Sequence, residues 1–536
     1  MYKGEDMPMF NFSNFTKKNK QPGEAPQSTP QPRPGYQPSQ GAPIDPDRWE
    51  QAEKEKKAAR LHIIFFAVVF AVLFGWMCFY FTQTAIEDKV ELFDNDYNKR
   101  DELLETRNRR GSIYASDSET LLASTETSLD EYGNVTQIRN YPFGSMYAHV
   151  VGYSLMGGSG LEEYYKYDLL HSNLPLSDKV RYDNRENADE RLYPGNNLIT
   201  TLDPDLQEAC YDAMENYEGA VIVTQPSTGR ILAMVSKPDF DPNEIETQWD
   251  ALLSDNESGT LLNRVTQGLY PPGSTFKIVD CIDILRENPN IVQDYSYDCT
   301  GVFEKGGESI HCYDYEVHGN VNLEESFAHS CNSSFANLGV NEIDPESMTE
   351  TLRYLLFNQQ LPYDLPYVRS SINMPDTLST EGIMQMSIGQ GTTAMTPLHL
   401  NMITSAVANN GLLMKPHLVD ELHDAKGRTL RTYQPEEYGA LMTKEVSDQV
   451  SEFMRAVVTE GTAQSLSGRE YEAAGKTGSA EFDNNKSSHA WFTGFAPYDN
   501  PEICVTVLIE GKGMGSSYAV PVAGQIFDAY FEKAWE

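Results

Sequence analysis

Three short stretches of this chain carry side chains suited to acyl transfer. The first is Tyr270-Pro271-Pro272-Gly273-Ser274-Thr275-Phe276-Lys277. Pro271, Pro272 and Gly273 break the preceding chain, and an apolar-periodic helix is predicted from about Ser274, with Phe276, Val279, Ile282 and Leu285. Serine and lysine three positions apart on a helix share a face, with Cβ atoms about 5–6 Å apart. A serine in the first turn also sits at the positive end of the helix. An unassisted serine hydroxyl is a feeble nucleophile and needs an adjacent base. Lys277 can serve if desolvation or a neighbouring cation keeps part of it neutral. Taken alone, S-x-x-K more often marks a capping serine beside a surface lysine.

The second stretch is Ser330-Cys331-Asn332, set between apolar-periodic runs at 323–328 and 335–340, so a turn there presents two polar side chains at a helix junction. Another S-x-N, Ser371-Ile372-Asn373, precedes Met-Pro without flanking periodicity and is assigned to loop. The third is Gly475-Lys476-Thr477-Gly478-Ser479-Ala480-Glu481, followed after a polar turn by Ala490-Trp491-Phe492-Thr493-Gly494-Phe495. This predicts a hairpin whose first strand exposes Lys476 and Thr477 on a sheet edge, where glycines let backbone approach a ligand closely.

Those residues need a scaffold. Leu198 to Leu202 reads as a strand, and Asp203-Pro204 as an N-cap with proline at the first position of a helix running through Tyr217. Residues 220–224 and 231–235 flank a Pro-Ser-Thr-Gly turn and read as a hairpin. Residues 503–509 form another strand, followed by a helix from about Val522. Strands at both ends with helices between predict one α+β catalytic domain over 196–536, closed by bringing distant strands together. Residues 83–195 read as a charged stalk followed by a small mixed domain.

Ahead of these, residues 1–60 are expected to be a disordered tail, rich in Pro, Gln, Gly and Ser between Pro22 and Pro46. Residues 61–82 carry no Asp, Glu, Lys or Arg and predict a transmembrane helix with Trp76 and Tyr80 near one end. Lys54, Lys56, Lys57 and Arg60 precede it, whereas Glu87, Asp88 and Glu91 follow. The positive-inside bias therefore places the amino terminus in the cytoplasm and the large body outside. The 536 residues hold 41 Lys+Arg against 79 Asp+Glu, a net charge of −38 that would be repelled by phosphate backbones and argues against nucleic acid as a partner.

The order S-x-x-K, S-x-N, K-T-G resembles the penicillin-recognising serine acyltransferases, which are penicillin-binding proteins and serine β-lactamases. Residues 263–273, His318-Gly319, Gly389-Gln390-Gly391, Thr396-Pro397-Leu398, Gly461-Thr462-Ala463 and 491–495 are similar to the class B transpeptidase pattern. Arg110-Gly111-Ser112-Ile113 and Gly160-Leu161-Glu162 are similar to that family's non-catalytic N-terminal domain. The chain is expected to lack appended C-terminal repeats.

The resemblance implies a serine β-lactamase/D,D-transpeptidase-like fold, an antiparallel sheet flanked by helices. It also implies that Ser274 is the nucleophile acylated by peptidoglycan stem peptides and by β-lactams. Lys277 would be the base, Ser330 and Lys476 a proton relay, and Asn332 a holder of substrate amide and lysine. Thr477, Gly478 and Ser479 would bind substrate, with the backbone N–H groups of Ser274 and Ser479 forming the oxyanion hole. The implied partner is a membrane glycan polymerase of the shape, elongation, division and sporulation type. A β-lactamase, a β-lactam sensor, an inactive scaffold and a carboxypeptidase side activity are the alternatives.

No cofactor and no metal are expected, because the chain holds neither a CxxC pair nor HExxH. Cys299 and Cys312 are read evenly as a disulfide or as free core residues, and His318 and His489 as structural.

Overall fold

The computed structural model describes residues 46–87, 100–132, 134–255, 258–481 and 487–535. The chain divides into two units, residues 1–96 and 97–536. Most of the expected tail, residues 1–45, lies outside the described residues, as does part of the stalk, residues 88–99.

In the first unit one helix runs over Pro46–Glu87. The expected tail therefore ends earlier than its composition suggested: its last residues, Pro46 to Arg60, are helical and continuous with the apolar segment. Residues 49–81 hold a candidate membrane span, with a mean hydropathy of 2.5 over its 18-residue apolar window. Phe65, Phe70, Val72 and Trp76 are all exposed. A helix apolar on every side needs a solvent as apolar as itself, which a bilayer supplies.

The second unit holds two main sheets. A five-stranded antiparallel sheet runs in the spatial order Ala474–Ala480, His489–Ala496, Ile503–Ile509, Gly219–Thr224, Ile231–Lys237. The three strands between its edges are buried along their whole lengths, so their apolar runs are continuous and helices cover both faces. On one face the helix Pro397–Ala408, itself wholly buried, reaches the sheet through Thr404 and Asn401, which bond to Thr493 and Thr506. On the other face, Phe527 of the helix Ala519–Trp535 packs on Phe492, the neighbour of Thr493. Strand alternation separates these two contacts.

The first strand predicted for the catalytic domain joins the other sheet. Asn197–Thr200 pairs in parallel with Ile113–Tyr114 and antiparallel with Val419–His423. The strands Leu121–Leu129 and Val135–Asn140 complete that sheet on one side and Thr429–Thr432 on the other. Local sequence specifies a strand but not which edge it will meet. The following helix caps as read, with the Asp203 carboxylate accepting from the backbone N–H groups of Asp205 and Leu206. It ends at Ala213 rather than Tyr217, because Glu215 takes a left-handed φ of +42°.

Arg110 and Glu162 meet in this part of the molecule. Glu162 is fully buried between Arg110, Nη1 to Oε2 at 2.6 Å, and Arg139, Nε to Oε1 at 2.6 Å. Burial alone would raise the Glu162 carboxyl, but Arg139 and Arg110 together hold it below the ordinary carboxylate range. Glu162→Gln should leave the buried Arg139 without its counter-charge and Arg110 with only the half-exposed Glu105, 3.8 Å away, and lower stability by about 3–5 kcal/mol in urea titrations at neutral pH. Because the folded-state pKa is depressed, that difference should be present above the usual glutamate pKa. It should shrink as pH falls through the depressed value of the folded protein.

Candidate active site

Ser274 sits in a tight 3-10 turn, Gly273–Phe276, that leads directly into the helix Lys277–Glu287. Gly273 has φ +55°, and a Cβ there would lie 2.7 Å from the Ser479 carbonyl, so glycine is required. The turn is pinned from outside: Gly273 N–H donates to the Gly389 carbonyl at 3.0 Å and Trp491 Nε1 to the Pro271 carbonyl at 3.0 Å. Gly273, Thr275, Phe276 and Lys277 are buried, whereas Ser274 is half-buried. Among the described residues its Oγ makes no hydrogen bond, which leaves the hydroxyl available to a ligand.

Below the serine, Lys277 is fully buried. Its Nζ donates to the Ser330 carbonyl at 2.7 Å, to Ser330 Oγ at 3.1 Å and to Asn332 Oδ1 at 2.8 Å, using all three protons of an ammonium group. Desolvation lowers its pKa to about 8. Lys476 is also fully buried and approaches from the other side, with Nζ donating to Ser330 Oγ at 3.0 Å and to the Thr477 carbonyl at 3.1 Å. Burial first, and then the charge of Lys277, push Lys476 well below the ordinary lysine range. Phe335 and Phe327 lie beneath the two ammonium groups, at 5.1 and 5.4 Å from Nζ to ring centroid.

Ser330 holds this position through an unusual backbone. It falls between the helices Leu323–Ala328 and Asn332–Asn341 with φ +58°. The first helix begins in a capping box, Asn322 with Glu325, and the second is capped by Cys331, whose sulfur accepts from Ser334 N–H. A non-glycine residue in the left-handed region is strained by about 1–3 kcal/mol and is held there by its surroundings. Asn332 opens the second helix and donates through Nδ2 to the His311 carbonyl at 3.3 Å.

Lys476, Thr477, Gly478 and Ser479 lie on the edge strand of the five-stranded sheet, as the sequence predicts. The expectation that this edge exposes Lys476 and Thr477 is wrong: both are buried, under the Ser274 turn and the helices flanking Ser330. Thr477 is nearly buried and its hydroxyl meets that of Thr462 at 2.6 Å. Ser479 is half-buried, and its Oγ accepts from Gly515 N–H at 3.2 Å. Ser371, from the second S-x-N, lies outside this group and bridges to Ala394.

Two features escaped the sequence reading. Arg264 Nε and Tyr270 Oη both donate to Glu510 Oε1 at 2.7 Å, tying the segment before Ser274 to the end of a central strand. Residues that far apart give no local signal of a partnership. The second is a cluster of Cys299, Cys312, His318 and Cys331, whose ligand atoms lie within 4.8 Å of one another and could hold a metal ion. All three sulfurs are free thiols, so Cys299 and Cys312 form no disulfide. Its spacing matches no familiar short motif, which is why the pattern went unread.

Comparison with known proteins accords with this site. Residues 219–531 match the penicillin binding protein transpeptidase domain. The chain is 31% identical over 460 residues to the peptidoglycan D,D-transpeptidase PbpA of Mycolicibacterium smegmatis, across 79% of this chain and 89% of that one. It is 31% identical over 471 residues to the peptidoglycan D,D-transpeptidase MrdA of Acinetobacter baumannii, across 75% and 69%. Penicillin-binding protein A from M. tuberculosis, solved as a ceftriaxone acyl-enzyme complex, superposes with a TM-score of 0.71 at 28% identity, covering 79% of this chain and 99% of that one. The chain belongs to the penicillin-binding protein transpeptidase family. Its relatives are class B peptidoglycan D,D-transpeptidases, in line with the sequence resemblance.

The contact between turn and strand can be tested at Gly478. A Cβ there would lie 2.9 Å from the Pro272 carbonyl and 3.0 Å from Thr275 Cγ2. Gly478→Ala should push the lysine strand away from the nucleophile turn, with labelling by a fluorescent penicillin slowed far more than the melting temperature is lowered.

Proposed function

We propose that this protein is a membrane-anchored, serine-type D,D-transpeptidase that cross-links peptidoglycan stem peptides outside the cytoplasm. The observation that carries the reading is one hydroxyl, Ser330 Oγ, within hydrogen-bond distance of two buried lysines beneath a half-exposed serine. Ser274 Oγ attacks the carbonyl carbon between two terminal D-alanines, and neutral Lys277 takes the serine proton. The C–N bond breaks, a proton passes through Ser330 to the leaving amine, and D-Ala departs from a Ser274 ester. The amine of a second stem peptide then attacks the ester, regenerates the serine and leaves the cross-link. Asn332 holds Lys277 and the substrate amide, and Thr477 receives the terminal carboxylate beside Lys476. The backbone N–H groups of Ser274 and Ser479 bind the oxyanion. Water replacing the acceptor amine gives a carboxypeptidase side reaction.

The division of the chain follows the same reading: a cytoplasmic tail, a membrane helix within 61–82, a stalk and pedestal over 83–195, and the catalytic region over 196–536. The basic flank of Lys54, Lys56, Lys57 and Arg60 supports a cytoplasmic amino terminus. The activity calls for a membrane glycan polymerase to supply the strands.

Ser274→Ala should abolish covalent labelling by a fluorescent penicillin while circular dichroism and melting stay unchanged; normal labelling would end the nucleophile assignment. Lys277→Ala should slow acylation by on the order of 10²–10⁴-fold. In the unmodified protein the acylation rate should climb with pH and level off above about 8, where Lys277 loses its proton. A flat profile across that range would move the base role elsewhere. Sustained nitrocefin turnover would make the protein a β-lactamase instead.

A further inference from the structure

We propose that Asp280 is a positioning residue for Lys277: it shares one proton with Asp283, and passage of that proton along the helix sets a carboxylate beneath Lys277 as Lys277 becomes an ammonium. The proposal rests on the reading of Lys277 as the base. Lys277, Asp280 and Asp283 stand three positions apart on the helix Lys277–Glu287. Side chains at that spacing share a face, with Cβ atoms about 5–6 Å apart, and each step climbs about 4.5 Å along the axis. Helical side chains tilt toward the amino end, so Asp280 tilts toward the turn of Lys277 and Asp283 toward that of Asp280. Asp280 is fully buried and Asp283 is 1% exposed. Among the described residues neither oxygen of Asp280 has a hydrogen-bond partner. Asp283 is served differently: its Oδ1 accepts from Ser347 Oγ at 2.8 Å and Thr351 Oγ1 at 2.6 Å, whereas its Oδ2 has no partner.

A carboxylate buried without a donor is among the costliest of side-chain states, so Asp280 is held as the neutral acid. Two carboxyls one turn apart also resist ionising together, which leaves one proton between them. The two hydroxyls on Asp283 solvate a charge, so in the resting protein the charge lies on Asp283 and the proton on Asp280. Burial, and then Asp283, push the Asp280 carboxyl well above the ordinary range, with Lys277 pulling the other way. Burial raises Asp283 as well, but Thr351 and Ser347 oppose it. The elements packed around this helix add few charges. In the helix Pro345–Tyr354, Glu350 pairs with Arg286 at 3.3 Å, and Glu346 and Arg353 are exposed. Asp294 of the helix Ile291–Asp294 is exposed, and the helix Lys444–Thr459 buries no ionisable side chain. Cys281, beside Asp280, is pushed well above the ordinary thiol range by burial and then by Asp280, and stays a neutral thiol.

When Lys277 takes the Ser274 proton, a full charge forms opposite Lys476 across Ser330 Oγ. The Asp280 O–H bond then breaks and an O–H bond forms at the free Oδ2 of Asp283. Negative charge thereby moves from Asp283 to Asp280, about 4.5 Å nearer Lys277 along the helix. No proton enters or leaves the interior. The shift reverses when Lys277 passes its proton through Ser330 to the leaving amine. Asp280 never touches substrate. It supplies a counter-charge only while the ammonium exists, which stabilises the reacting state without charging the lysine beforehand.

The test follows acylation by a fluorescent penicillin against pH, with the full-length chain in detergent. In the unmodified protein the rate should rise to a plateau above about 8. Asp280→Asn, an amide shaped like the neutral acid, should leave the melting temperature nearly unchanged. It should lower the midpoint of the rise by about one unit and slow the plateau rate on the order of 10-fold. Asp283→Asn removes the charge that opposes ionisation of Asp280, and should move the midpoint up instead. A merely structural role would not give shifts of opposite sign. Infrared spectra at neutral pH should show the carbonyl stretch of a protonated carboxyl, lost in Asp280→Asn. Identical midpoints in the three proteins would overturn the role of Asp280, and absence of that band would overturn the shared proton. If Asp280→Asn fails to fold, the band in the unmodified protein and the Asp283→Asn profile decide. A flat profile in the unmodified protein would strike the base assignment and this role with it. A folded chain that never labels would strike the transpeptidase reading, whereas the infrared band would still uphold the shared proton.

Discussion

Two amines and one hydroxyl set the terms for the rest of the molecule. Both lysines reach Ser330 Oγ, at 3.1 and 3.0 Å, and both are sealed from water. Their nitrogens can be no more than about 6 Å apart, so at an effective dielectric near 20 two full charges there would repel by about 3 kcal/mol. Desolvation adds to that cost, and the relief open to the protein is to let one proton go. A neutral amine at ordinary pH is what a serine nucleophile requires. Confinement thus favours a neutral amine, and the fold supplies the confinement: phenyl rings below, a helix junction on one side and a sheet edge on the other.

Closeness of backbone is the means. The Ser274 turn and the lysine strand touch through Gly273 and Gly478, and Gly515 fits beneath them only because its missing Cβ would lie 2.5 Å from the Gly478 carbonyl. Side chains at these points would separate the pieces and admit water between the lysines. The strain held at Ser330 is the counterpart, since a relaxed backbone there would turn the hydroxyl away from both amines.

Some of this was legible in the sequence and some was not, for definable reasons. Ser274 and Lys277 could be read together because one turn and helix set their spacing. The hairpin of residues 219–237 and the cap at Asp203 were legible because their signals are local. The meeting of Ser330 with Lys476, 146 positions apart, depends on tertiary packing and was available only through family resemblance. A glycine-rich strand at a sheet edge looks exposed by composition, and only its neighbours show that Lys476 is enclosed. The strand Asn197–Thr200 was legible as a strand, but its partners in the amino-terminal sheet were not, since alternation says nothing about partners. The four side chains of the cysteine and histidine cluster were individually visible, yet their spacing fits no short pattern.

That strand also bears on how the body is assembled. Asn197–Thr200 gains one neighbour from residues made before it and the other from Val419–His423, made 219 positions after its last residue. While the polypeptide is delivered amino end first, this sheet carries a bare edge until late in synthesis. Bare edges invite pairing with other chains. The long-range closure also makes folding slow. The amino-terminal sheet, closed by Val419–His423, and the lysine site, closed by Ala474–Ala480, are both completed only late in synthesis.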